Sequence, residues 1–153
     1  MKRMISVTGV AMLLFLIGLL PASQAGAHCE IPCGIYDDHL RIAMIAEDAT
    51  TIEKAMKQIK ELSEQKPVNY NQLVRWVVNK EAHADKIQEV VYQYFLAQRI
   101  KPDADKYEEK LKLLHKLLVT AMQCKQTVDL SHVETLRTLL KSFETLYFGP
   151  AHP

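Results

Sequence analysis

The chain has little of what small secreted scaffolds and β-rich folds depend on. Three cysteines are too few for a disulfide-stapled framework, and the odd number leaves at least one thiol unpaired within a monomer. Five glycines and six prolines are few for the many tight turns of an all-β chain of 153 residues. There is no excess of either charge: 19 basic and 18 acidic residues give a formal charge of +1. That balance supplies no electrostatic footprint for nucleic acid. With 48% apolar and 24% charged residues, the chain is not a disordered tail, and its length suits one ordinary domain.

What is present falls into three segments: 1–27, 28–37 and 38–153. The first begins with Lys2 and Arg3, continues as an apolar run from Ile5 to Leu20, and ends in Ala25-Gly26-Ala27. A positive start, an apolar middle and a small-x-small site are the marks of a cleaved secretory signal peptide. The run falls short of the ~20 residues of a spanning helix, and Pro21 stops it. Cleavage between Ala27 and His28 is therefore expected, with export to the periplasm or beyond and no stable membrane association afterwards. The alternative is an uncleaved anchor. Lys2 and Arg3 are the leader's only charges, so its loss takes the formal charge from +1 to −1.

From Asp38 onward the periodicity is helical. Helix one is expected from Asp38 to about Ser63, on a stripe running from Ile42 through Ile45, Ala49, Ile52, Met56 and Ile59 to Leu62. Gln65-Lys66-Pro67 breaks it. Helix two is expected from about Asn71 to Gln98, its apolar face including Leu73, Val77, Ala84, Ile87, Val91, Tyr94 and Phe95, with Lys80–His83 a polar interruption. Helix three is expected to start at an Asp103 N-cap and to run to about Gln126, with Leu114, Leu118, Ala121 and Met122 inside. Ser131-His132-Val133-Glu134 fits a capping box for helix four, and Gly149-Pro150 ends it. Four helices of this length with short connections predict an all-α fold, an antiparallel up-down-up-down four-helix bundle.

The chemistry lies between leader and bundle, in His28-Cys29-Glu30-Ile31-Pro32-Cys33-Gly34-Ile35-Tyr36-Asp37. Two thiolates in a turn bearing Pro and Gly can grip one ion. Cleavage would give His28 a primary amine beside its imidazole. The amine, the deprotonated Cys29 amide nitrogen, and the Cys29 and Cys33 sulfurs make an N2S2 set, with the His28 ring available axially. Square-planar N and S donors favour nickel or copper over tetrahedral zinc. Amidate and thiolate donation brings a Ni(III)/Ni(II) couple within reach. Two other outcomes remain open: an exported nickel or copper carrier, and a Cys29–Cys33 disulfide in a helical protein without enzymatic activity.

This N-terminal hook resembles that of the nickel-containing superoxide dismutases, whose mature chains begin His-Cys-x-x-Pro-Cys-Gly-x-Tyr-Asp. His28, Cys29, Pro32, Cys33, Gly34, Tyr36 and Asp37 match that pattern position by position. The resemblance implies one nickel per chain held by His28, Cys29 and Cys33. It implies disproportionation of superoxide to dioxygen and hydrogen peroxide, a right-handed four-helix bundle and a homohexamer. Tyr36 would gate anion access, and Tyr94, in a Tyr-Phe pair similar to the family's Asp-Tyr-Phe, would approach the metal pocket. Pro32 would be cis, and Gly34 would permit a close backbone approach. Two features depart from the family: the full secretory leader, where a cytoplasmic location is the default, and Asp38 in place of a frequent proline. Cys124 is expected to be a buried apolar residue, with an intersubunit disulfide as the alternative. Glu81 and Asp85 could form a carboxylate pair, but no matching Glu-x-x-His repeat accompanies them for a di-iron site. Lys54, Lys57 and Lys60 read as a solvated face.

Overall fold

A computed structural model describes residues 34–149. The leader and the hook residues His28, Cys29 and Cys33 lie outside them. The described residues form four helical rods and no strand. Helix α1 spans Asp38–Glu64. Helix α2 spans Tyr70–Glu89 and continues without a break as a π-helical segment, Val90–Arg99. Helices α3 and α4 span Tyr107–Gln126 and Leu130–Phe148.

Each rod packs against two others, closing the ring α1–α2–α3–α4–α1. The side-chain pairs fix the directions. The start of α1 meets the end of α4 through Asp38 and Tyr147, while further on Glu53 meets Arg137. Gln88 of α2 bonds the Leu118 carbonyl, and Lys80, two turns earlier, reaches the end of α3. Sequence neighbours are therefore antiparallel, as the short connections predict. Among the described residues no helix is long and apolar enough to cross a membrane.

The core follows the expected stripes: Ile45, Ile52, Met56, Ile87, Val91, Leu114, Leu136 and Phe143 are fully buried. Phe95 is its aromatic centre, edge-on to Phe143 at 5.0 Å and to Tyr147 at 5.7 Å. Ile59, Leu73 and Val77 lie at the margin, half-buried. Met122 instead points outward and is 42% exposed, because Leu114, Leu117, Ala121 and Cys124 set the buried phase of α3. Cys124 is a free, buried thiol, pushed up to about 11 by burial.

Two helix starts differ from expectation. Asp103 does not cap α3: the Ala104 N–H bonds the Lys101 carbonyl at 3.0 Å, turning the chain around Pro102. Lys106 then takes a left-handed conformation (φ 52°) and the helix begins at Tyr107. At α4 the cap is Asp129, whose carboxylate accepts the Ser131 N–H at 2.9 Å, two residues ahead of the expected box. Asp129 wins because its carboxylate is a stronger acceptor than the Ser131 hydroxyl.

The polar interruption of helix two has a structural use. Lys80 is only 3% exposed. Its ammonium donates to the carbonyls of Cys124 (2.8 Å), Lys125 and Thr127 (3.1 Å). These are carbonyls at and just beyond the end of α3, where no intrahelical donor remains. A cation there also complements the negative end of the helix dipole. His83 reaches across to Asp48 of α1 at 2.6 Å rather than to Glu81 or Asp85. Asp85 pairs with Lys125 at 2.6 Å.

Replacing Lys80 with Ala should leave buried carbonyls unpaired and cost about 2–3 kcal/mol. Urea unfolding followed by far-UV circular dichroism should show a lower midpoint at unchanged m-value.

Candidate functional site

Where the hook meets the bundle, the chain turns at Gly34, whose φ of +77° favours glycine. Among the described residues nothing lies within 4 Å of where a Cβ would stand. The left-handed φ is by itself a sufficient reason for glycine here. Asp37 follows with extended dihedrals, and its carboxylate accepts the Leu40 N–H at 2.9 Å, capping α1. The hook's last matched residue is thus also the first fixed point of the bundle.

The next residue organises the whole end of the molecule. The Asp38 side chain is 14% exposed, and its two oxygens accept four hydrogen bonds. Oδ1 receives the Tyr94 hydroxyl at 2.5 Å and Arg99 Nε at 2.8 Å. Oδ2 receives Arg99 Nη2 at 2.7 Å and the Tyr147 hydroxyl at 2.8 Å. One carboxylate therefore joins α1, the π-helical segment and α4.

The π-helical turn is what allows it. Residues five apart lie about 140° apart around an α-helix. Hydrogen bonding from i to i+5, as in Ile100 N–H to the Phe95 carbonyl at 2.9 Å, stacks such residues on one face. Tyr94 and Arg99 can then reach the same acid.

The electrostatics follow. Burial raises the Asp38 pKa, but hydrogen bonds from Arg99, Tyr94 and Tyr147 outweigh it and hold the carboxyl below its ordinary value. Burial and the hydrogen bond to Asp38 push both the Tyr94 and the Tyr147 phenols up to about 12. Both phenols stay protonated at neutral pH, and each spends its one proton on Asp38.

Tyr36 completes the platform. It is 37% exposed, packs edge-on against Tyr94 at 5.9 Å and 77°, and carries the Arg99 guanidinium over its ring at 4.3 Å. The structure therefore brings Tyr36 and Tyr94 together. His39 stacks flat on Phe148 at 3.8 Å, tying the start of α1 to the end of α4. Among the described residues no three His, Cys, Asp or Glu side chains are grouped to hold a metal ion.

Sequence reasoning missed Asp38, Arg99 and Tyr147 as site residues. The departure at Asp38 from the family's proline was a signal for the first. Nothing in helical periodicity signals the pairing of Tyr94 with Arg99, since a 3.6-residue repeat puts them on different faces.

Replacing Asp38 with Asn should leave Arg99 without its counterion and cost about 3 kcal/mol at neutral pH. A carboxyl held below its ordinary pKa stabilises the fold above that ordinary value, near 3.8, and loses the contribution as pH falls through the folded value. The stability gap between wild type and Asp38→Asn, measured by urea unfolding, should therefore be full at pH 6 and shrink below about pH 4.

Comparison with known proteins gives one match. The sequence model of a family described as nickel-containing superoxide dismutase matches residues 23–150, which takes in both the hook and the bundle. Neither the curated proteins nor the solved structures gave a match. A family match over most of the chain, on a four-helix bundle, makes this protein a member of the nickel-containing superoxide dismutases, enzymes that use nickel to act on superoxide.

Proposed function

We propose that the protein disproportionates superoxide at a hook formed by His28, Cys29 and Cys33, exposed when the leader is cut between Ala27 and His28. The observation that carries this reading is the platform at the hook's root. Tyr36, within the matched motif, lies against Tyr94 and Arg99, both held by the half-buried Asp38 carboxylate. The donor chemistry suits nickel: the Cys29 and Cys33 thiolates with the His28 amine and Cys29 amide nitrogen, and the His28 imidazole as a further donor. Nickel held there would supply a one-electron Ni(III)/Ni(II) couple, the redox capacity that disproportionation of superoxide requires.

The chain's own residues prepare that chemistry. Two superoxide ions and two protons become dioxygen and hydrogen peroxide, so protons have to reach the reduced oxygen. Tyr94 cannot deliver one without breaking its bond to Asp38. Tyr36 makes no hydrogen bond through its hydroxyl among the described residues, so that hydroxyl is the one positioned to hold or pass a proton. Tyr94 acts as the wall that fixes the Tyr36 ring.

The leader's composition supports export. The homohexamer is an expectation from the family, and a hook this short suits a site supported by neighbouring subunits.

Intact-mass analysis of the purified native protein, with metal quantification and a superoxide-decay assay, tests this reading. A chain beginning at His28, about one nickel per chain and accelerated decay are expected. A mature chain beginning elsewhere contradicts the ligand set, because the amine is displaced. Nickel without turnover indicates a carrier. A Cys29–Cys33 disulfide in native protein removes both thiolates and the reading with them.

A further inference from the structure

Arg41 stands out among the half-buried arginines of the bundle. Arg99 is paired with Asp38 and Arg137 with Glu53. Among the described residues Arg41 has no carboxylate partner. Its Nε is buried with no hydrogen-bond acceptor, and its Nη1 has only the Met44 thioether, at 3.6 Å. Leaving the buried Nε–H unmet away from water is costly.

The group is also held in place. It lies over the Tyr94 ring at 5.0 Å from the centroid, a cation–π contact. It borders a cavity of about 220 Å³ that Met44, Lys86, Glu89 and Tyr94 also line. Two cations and one carboxylate give that cavity a net positive charge, and neither Lys86 nor Glu89 is ion-paired among the described residues. Tyr94 is thus shared: Asp38 takes its hydroxyl proton, Tyr36 packs on it, and Arg41 covers its face.

We infer that Arg41, assisted by Lys86, is an anion-receiving residue that gathers superoxide beside the Tyr36–Tyr94 platform. The inference rests on the dismutase reading for the identity of the anion but not for the existence of the site. Superoxide is a small monoanion whose oxygens can accept from a guanidinium edge. A fixed positive charge in a partly enclosed cavity raises the local concentration of such an ion and its rate of arrival. Arg41 is not proposed to touch the metal. Its contribution is to capture, so it should appear in kcat/KM and in salt dependence rather than in nickel content.

The test has two arms on the full nickel-loaded protein. In the first, nitrate, a small monoanion and poor metal ligand, is titrated into reduced, 15N-labelled wild type. The Arg41 Nε–H resonance is followed against that of exposed Arg75. A saturable shift at Arg41 alone is expected, and none, or one matching Arg75, overturns the site. In the second, Arg41→Gln should lower kcat/KM for superoxide about threefold or more at low ionic strength. Its kcat/KM should also fall less with added salt than that of wild type, at unchanged nickel content. Arg41→Lys should keep most of the rate. Wild-type kcat/KM and salt dependence in Arg41→Gln overturn the substrate role. If nickel-loaded wild type does not accelerate superoxide decay, the dismutase reading fails, while the nitrate titration still decides whether Arg41 binds anions.

Discussion

A half-buried carboxylate at the first residue of α1 sets the constraint on which this end of the molecule depends. An ionised Asp38 shielded from water by Tyr94 and Tyr147 needs its lone pairs met, and four donors meet them. Those donors come from two different rods, so satisfying one acid fixes the start of α1 against the ends of α2 and α4. Asp37, one residue earlier, caps the same helix and carries the hook motif's last matched position. The segment proposed to bind the metal is therefore joined to the bundle beside a carboxylate that, among the described residues, ties three helical segments together. A site made from a short chain end needs such an anchor, because positioning losses of about 1 Å can cost ~100-fold in rate.

The π-helical segment is the second half of that arrangement. An α-helical Val90–Arg99 would bury Tyr94 or present Arg99 to Asp38, but not both. With both in place, positive charge is sorted at this end of the bundle. The Arg99 cation is neutralised by Asp38 and serves packing, stacked on Tyr36. The Arg41 cation has no counter-ion among the described residues and is left for an anion. Tyr94 contacts both sides of this sorting: its ring carries the Arg41 guanidinium and its hydroxyl shares Asp38 with Arg99.

The architecture was legible because it rests on periodicity. The stripes at Ile42–Leu62 and Val133–Phe143 placed two rods to within a residue or two of their ends, and Pro67 and Gly149 marked two stops. The hook motif could be read because chelation is local: the spacing of His28, Cys29 and Cys33 is what proposes them as ligands. What escaped are contacts between residues distant in sequence. Asp38 with Tyr147 and Lys80 with the end of α3 follow from which rods are neighbours, and no run of residues encodes that. Ser131 and Asp103 misled for a simpler reason. Each is a good local cap, but Asp129 competes at the first and the turn at Pro102 intervenes at the second.

The central claim is that the Asp38 node places the hook's root for catalysis. It is tested most directly by the kcat/KM for superoxide of Asp38→Asn and wild type. Both should be compared at equal nickel content and at a temperature where both are folded. The account predicts a loss of about tenfold or more in the variant. Equal values would show that the hook works without being tied to the bundle through Asp38, and would contradict it.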